Sequence, residues 1–167
     1  RYHLFDHEHD RQAYVQREAL ARIETGLAAG EFVLFYQPKV DMRQGTVIGA
    51  EALIRWIHPE RGLIPPGEFL PILEGSEFAI TLGEWVINTA LLQLRTWRNA
   101  HGLILPVSVN IAGQHLQHPE FCTRLAALLA TVPDVNPNLL ELEVLETAAL
   151  AAIAYVSALM ENCRPPG

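Results

Sequence analysis

The sequence is short of several things. It has only two cysteines, Cys122 and Cys163, in 167 residues. They match no metal or redox spacing, which excludes a thiolate zinc site or a Cys-x-x-Cys redox motif, and they suggest a reducing compartment. No run approaches the roughly 20 unbroken apolar residues of a membrane span, so this chain holds no membrane segment. No signal peptide opens it, because residues 1–8 are mixed and polar. We therefore expect a cytoplasmic location, as a free protein or as the cytoplasmic part of a larger one. Basic residues are scarce: 12 Lys and Arg face 19 Asp and Glu, a net charge of −7. That balance argues against a DNA or RNA polymer as ligand. It leaves room for a small anion held by local basic groups or by metals. No Gly-rich phosphate loop follows any apparent strand, which argues against a dinucleotide or P-loop fold. The first residue is Arg1, not Met, and we expect a piece of something longer. What is present is a hydrophobic half and enough length for one globular core.

One stretch organises the rest: Val47-Ile48-Gly49-Ala50-Glu51-Ala52-Leu53-Ile54-Arg55-Trp56. As a strand, it alternates faces. Ile48, Ala50, Ala52, Ile54 and Trp56 make a wholly apolar face, and Glu51 and Arg55 fall on the other. Strands buried on both sides belong to parallel α/β sheets, where a carboxylate is costly unless partnered. Glu51 is either a salt-bridged structural acid or a functional one.

The spacing predicts a lead-in helix over residues 11–29, stopped by Gly30. A strand over 31–40 follows, with Val33, Phe35 and Gln37 on one side. The five residues Asp41-Met42-Arg43-Gln44-Gly45 suit a hairpin and are too few for a parallel crossover. Centring that turn near Arg43 sets Gln37 opposite Gly49 and diagonal to Glu51. A loop over 58–67 leads to a short helix over 68–73, broken by Pro71. A long helix is predicted over 80–100, then a strand over 103–111, a helix from Pro119 to about Ala130, a strand over 139–145 and a last helix to about Asn162. The order strand, helix, strand, helix, strand, helix predicts a parallel sheet with right-handed crossovers. A barrel is the best fit, with function at the C-terminal mouth of its strands.

Glu51, Asn110 and Glu143 each interrupt one face of a different strand toward its C-terminal end. In a barrel they converge at the mouth. Two carboxylates and an amide oxygen are hard ligands, suited to Mg²⁺, Mn²⁺ or Ca²⁺ over zinc. Taken singly, each has another reading: Asn110 as a turn cap, Glu141 or Glu143 as residues of an exposed strand. Arg55, further out on the Glu51 face, is placed either to clamp a phosphate or to pair with Glu74. His58, His101, His115 and His118 are read as solvated surface residues.

These residues carry a resemblance. Phe35-Tyr36-Gln37-Pro38 followed by Gly49-Ala50-Glu51-Ala52-Leu53-Ile54-Arg55-Trp56 resembles the opening of an EAL domain. Pro66 through Phe69 with Pro71 and Glu74, then Val107-Ser108-Val109-Asn110-Ile111, then Leu142-Glu143-Val144-Leu145-Glu146, resemble its next segments in order. EAL domains are bacterial signalling hydrolases, phosphodiesterases that convert cyclic di-GMP to linear pGpG. The resemblance implies an α/β fold: a TIM-type (β/α)8 barrel whose first strand is antiparallel. Here it is incomplete, truncated after about the fourth strand and its helix. It also implies two Mg²⁺ or Mn²⁺ ions, with Glu51, Asn110 and Glu143 as metal ligands. Arg55 would hold a phosphate oxygen, Gln37 and Leu53 would line the substrate site, and Glu146 would brace the metal-site loop and the dimer contact. Residues 1–29 resemble the connector from a GGDEF domain, and 30–167 a partial EAL domain.

Two departures qualify this. Leu145 stands where the family has Thr, removing a hydroxyl near the metals. A (β/α)8 barrel of typically about 250 residues also needs about 80 more than the chain offers, including paired aspartates and a lysine of the family's site. We therefore expect the chain alone to be inactive and to self-associate. The alternative is a degenerate EAL module that binds cyclic di-GMP or a protein partner without hydrolysis.

Overall fold

In the computed structural model of the protein, residues 7–144 are described. Helix α1 (His7–Ala28) is followed by β1 (Phe32–Asp41), β2 (Thr46–His58) and a short β3 (Gly62–Ile64). Then come α2 (Pro66–Leu73), α3 (Phe78–His101), β4 (Val107–Ile111), the single turn α4 (Gly113–Leu116), α5 (Phe121–Ala130), a 3-10 turn (Pro137–Leu139) and β5 (Leu140–Val144). The expected last helix, Leu145 and Glu146 lie outside the described residues.

The strands form one sheet in the order β1-β2-β4-β5, with β3 paired to β2. β2, β4 and β5 run parallel, while β1 and β3 are antiparallel to β2. This is the arc of a barrel with a reversed first strand. Among the described residues the arc is open. No helix among them is long and apolar enough to cross a membrane.

The core lies on the outer face of the arc. Ala50 and Ala52 of β2 and Val107, Val109 and Ile111 of β4 pack against Val86, Ile87, Ala90, Leu91 and Leu94 of α3. Leu82, Val86, Ala90 and Leu94 recur every four residues, so α3 buries one continuous stripe. The small Ala50 and Ala52 let the helix approach closely. α3 ends at Gly102, whose φ of +64° suits a residue without Cβ and whose N–H bonds to Arg98 O. A second cluster, Ile23, Phe32, Trp56, Ile64, Phe69, Leu73 and Leu82, joins α1 to the sheet. Phe32 stacks on Trp56 with ring centres 5.2 Å apart.

A clamp fixes α1 beside that cluster. Arg22 Nη2 donates to both oxygens of Glu31, at 3.1 and 2.8 Å, and Trp56 Nε1 donates to Glu31 Oε2 at 2.8 Å. The indole and the guanidinium together hold the Glu31 carboxyl below its usual range.

Several expectations need correction. Ile48 is 55% exposed, so the apolar face of β2 is buried only from Ala50 onward. The strand expected from Leu103 begins at Val107, because Leu103 N is spent on Trp97 O at the helix end. The loop after β2 folds back as β3, pairing Trp56 with Ile64. Pro71 does not break α2, which continues to Leu73. His115 is not a surface residue: it is 2% exposed and stacks edge-on against Phe121. Burial, with the charges of Arg124 and His118 adding to it, pushes its pKa down to about 4. Gly83 on α3 makes room for this ring, since a Cβ there would run into His115 Nδ1.

Candidate functional site

The site residues sit on the inner face of the arc, opposite the core. The period of two puts them there: Phe35, Gln37 and Lys39 on β1; Gly49, Glu51, Leu53 and Arg55 on β2; Ser108 and Asn110 on β4; Glu141 and Glu143 on β5. The hairpin closes with Asp41 opposite Thr46, and a register shift between Lys39 and Val40 then sets Gln37 directly opposite Glu51. Loop length alone places it diagonally, because a bulge leaves no mark on that length.

Glu51 and Asn110 are in contact. Asn110 Nδ2 donates to Glu51 Oε1 at 2.9 Å. With the amide nitrogen spent on this bond, Asn110 Oδ1 and Glu51 Oε2 are left as oxygen acceptors. Glu143 is the register partner of Asn110 on the next strand. Its carboxylate is engaged elsewhere: Lys39 Nζ donates to Glu143 Oε1 at 2.6 Å. This bond holds the Glu143 carboxyl below its usual range, against a smaller opposing effect of burial. Glu143 raises the Lys39 ammonium in turn. Ser108, fully buried, lies in register between Glu51 and Glu141 and makes no well-aligned hydrogen bond.

Arg55 does not pair with Glu74. Its Nη1 donates to Ile54 O at 2.8 Å, and its guanidinium lies 5.7 Å from the centre of the Phe35 ring. A planar cation against an aromatic face keeps outward donors available. Leu53 lines a cavity of about 360 Å³ together with Asn110, Glu74 and Gln114. Gln114 secures the rim of that cavity, accepting from Gly75 N at 2.9 Å and donating to Ser76 O at 2.8 Å.

Thus Glu51 and Asn110 meet and Glu143 stands beside them in register. Among the described residues, no three His, Cys, Asp or Glu side chains cluster tightly enough to hold a metal by themselves. The oxygen-only set of two carboxylates and one amide still fits a hard divalent cation in its chemistry. Lys39 and Gln114 went unrecognised from sequence, and His115 reads there as solvated. Lys39 carried a signal, the same strand parity as Gln37 within the expected strand over 31–40.

The model of the EAL domain family matches residues 20–167. The bifunctional diguanylate cyclase/cyclic di-GMP phosphodiesterase MucR of Pseudomonas aeruginosa is 34% identical over 89% of this chain and 22% of its own length. The cyclic di-GMP phosphodiesterase PA2567 of the same organism is 34% identical over 81% of this chain and 23% of its own. The structure of the MucR phosphodiesterase in complex with c-di-GMP superposes with a TM-score of 0.80 at 33% identity, over 87% of this chain and 59% of that one. The chain thus spans less than a quarter of these two curated relatives. With the reversed first strand, the parallel arc behind it and the polar inner face, this chain belongs to the EAL domain family.

Proposed function

We propose that the chain is part of a metal-dependent phosphodiesterase that hydrolyses cyclic di-GMP to linear pGpG. The observation that carries this reading is the 2.9 Å contact between Asn110 and Glu51, with Gln37 opposite and Glu143 in register beside it. Both MucR and PA2567 bear the name of this activity. Glu51, Asn110 and Glu143 would hold Mg²⁺ or Mn²⁺ through their oxygens. When bound, such ions polarise a phosphodiester and make water nucleophilic at neutral pH. Arg55 offers its outward donors to a phosphate oxygen. Gln37 and Leu53 bound the substrate site, and Leu53 opens it to the neighbouring cavity. Residues 1–29 would connect a preceding GGDEF domain to residues 30–167, with Glu31 joining Arg22 of the connector helix to Trp56 of β2. Glu146 would support the site loop and a homodimer contact in the cytoplasm.

The test is turnover of cyclic di-GMP by the full-length protein with Mn²⁺, followed as pGpG release. Hydrolysis is expected to vanish in Glu51→Gln. Activity retained in that variant would overturn the assignment. A second reading, a module that binds without hydrolysis, is favoured by Leu145, which lacks the family's hydroxyl. Calorimetry showing cyclic di-GMP binding by a full-length protein that produces no pGpG would select it.

A further inference from the structure

Lys39 and Glu143 meet although their strands do not. β2 and β4 lie between β1 and β5, and neighbouring strands are about 4.8 Å apart, so a flat sheet would hold the two backbones about 14 Å from each other. Two features close the gap. The arc curls toward its inner face, with the stagger expected of strands tilted about a barrel axis. Gly49, the register partner of Lys39, also has no side chain, and the lysine stem crosses that space: a Cβ on Gly49 would stand 3.7 Å from Lys39 Cδ and 3.3 Å from Pro106 O. The ammonium then has two carboxylates within reach, Glu143 Oε1 at 2.6 Å and Glu141 Oε2 at 3.7 Å. Glu141 is the more exposed of the two, and nothing but Lys39 pairs with it among the described residues.

A divalent ion held by Glu51, Asn110 and Glu143 would share Glu143 with this ammonium. Two cations on one carboxylate repel each other, and the one with a second partner at hand is the one that moves. We propose that Lys39 is an exchangeable internal cation. It neutralises Glu143 while no divalent ion is bound, and shifts to Glu141 when one binds. The inference rests on Glu143 being a metal ligand, as proposed above.

The experiment is calorimetric titration of the metal-free full-length protein with MnCl₂, with no substrate present. Lys39→Met is expected to bind Mn²⁺ about tenfold tighter than the unaltered protein, a change readily resolved by titration. Lys39→Arg, which keeps charge and fold, is expected to bind no tighter. Glu141→Gln is expected to bind several-fold weaker, because the ammonium loses its second partner. Thermal melting supplies a metal-free readout: Lys39→Met melts lower in EDTA and recovers with Mn²⁺. Equal or weaker Mn²⁺ binding by Lys39→Met, with Glu51→Gln abolishing binding, would overturn the exchange and leave the metal site standing. Failure of the unaltered protein to bind Mn²⁺, or undiminished binding by Glu51→Gln, would remove the metal-site reading itself.

Discussion

Asn110 donates its side-chain amide to Glu51 at 2.9 Å, tying β4 to β2 across 59 residues of sequence. The bond fixes which atom of Asn110 is spent and which remains. Replacing the amide by a carboxylate, Asn110→Asp, would set two like charges about 3 Å apart with no donor between them. The expected outcome without metal is a loss of about 1 kcal/mol, modest because the pair is partly solvated. Mn²⁺ should restore it, since both carboxylates can then bind the ion. Melting curves with EDTA and with Mn²⁺ check this, and equal loss in both would count against a cation between the two residues.

His115 gives the fold a pH dependence. Its ring is buried, its Nδ1 has no hydrogen-bond partner, and Arg124 and His118 are the charges that act on it. Unfolded, a histidine takes its proton near pH 6.5. Folded, this one refuses it until about pH 4. Between those values the unfolded chain binds more protons, so stability falls as pH falls. The contribution is complete above pH 6.5 and amounts to about 3 kcal/mol lost by pH 4. Urea midpoints at pH 7 and pH 4.5 should separate more for the unaltered protein than for His115→Leu.

Gly83 and His115 should behave as a coupled pair. Gly83→Ala forces a methyl against the imidazole of His115. Overpacking of this kind costs about 1–3 kcal/mol. Adding His115→Ala should recover part of the loss, and a double-mutant cycle on denaturation free energies measures the coupling. Simple additivity would mean that the ring moves aside at no cost.

The clamp on α1 predicts a local effect. Trp56→Phe removes the indole donor to Glu31 and leaves the bonds from Arg22 Nη2 to both Glu31 oxygens in place. A lost hydrogen bond to a charged acceptor, together with a smaller ring in the second cluster, should cost about 2 kcal/mol. Trypsin cleavage at Arg17 or Arg22 should speed up in this variant. Unchanged cleavage would show that apolar packing alone secures the helix.

The 167-residue polypeptide by itself is expected to self-associate and to release no pGpG from cyclic di-GMP with Mg²⁺ or Mn²⁺. Among the described residues the arc has β1 and β5 as open edges, and Phe35, Val40, Val47 and Ile48 are exposed along β1 and β2. Light scattering after gel filtration checks the first expectation. A monodisperse, cooperatively melting monomer would contradict it, as turnover would contradict the second.

The sequence by itself determined the faces. Alternation along 47–56, 107–111 and 140–144 is a local property of strands, and it suffices to place Glu51, Asn110 and Glu143 on one side of the sheet. Loop length alone made β1 antiparallel. The tertiary structure decided what those side chains touch. The closure of the hairpin and the bulge after Lys39 together moved Gln37 opposite Glu51, and the curl of the arc brought Lys39 to Glu143 across two intervening strands. The same holds for His115, which reads as solvated in the sequence and is packed between α3 and Phe121 in the fold. A strand's period fixes direction within a few residues. Register shifts, sheet curvature and the burial of a short helical turn depend on what distant segments pack against, and no local pattern encodes them.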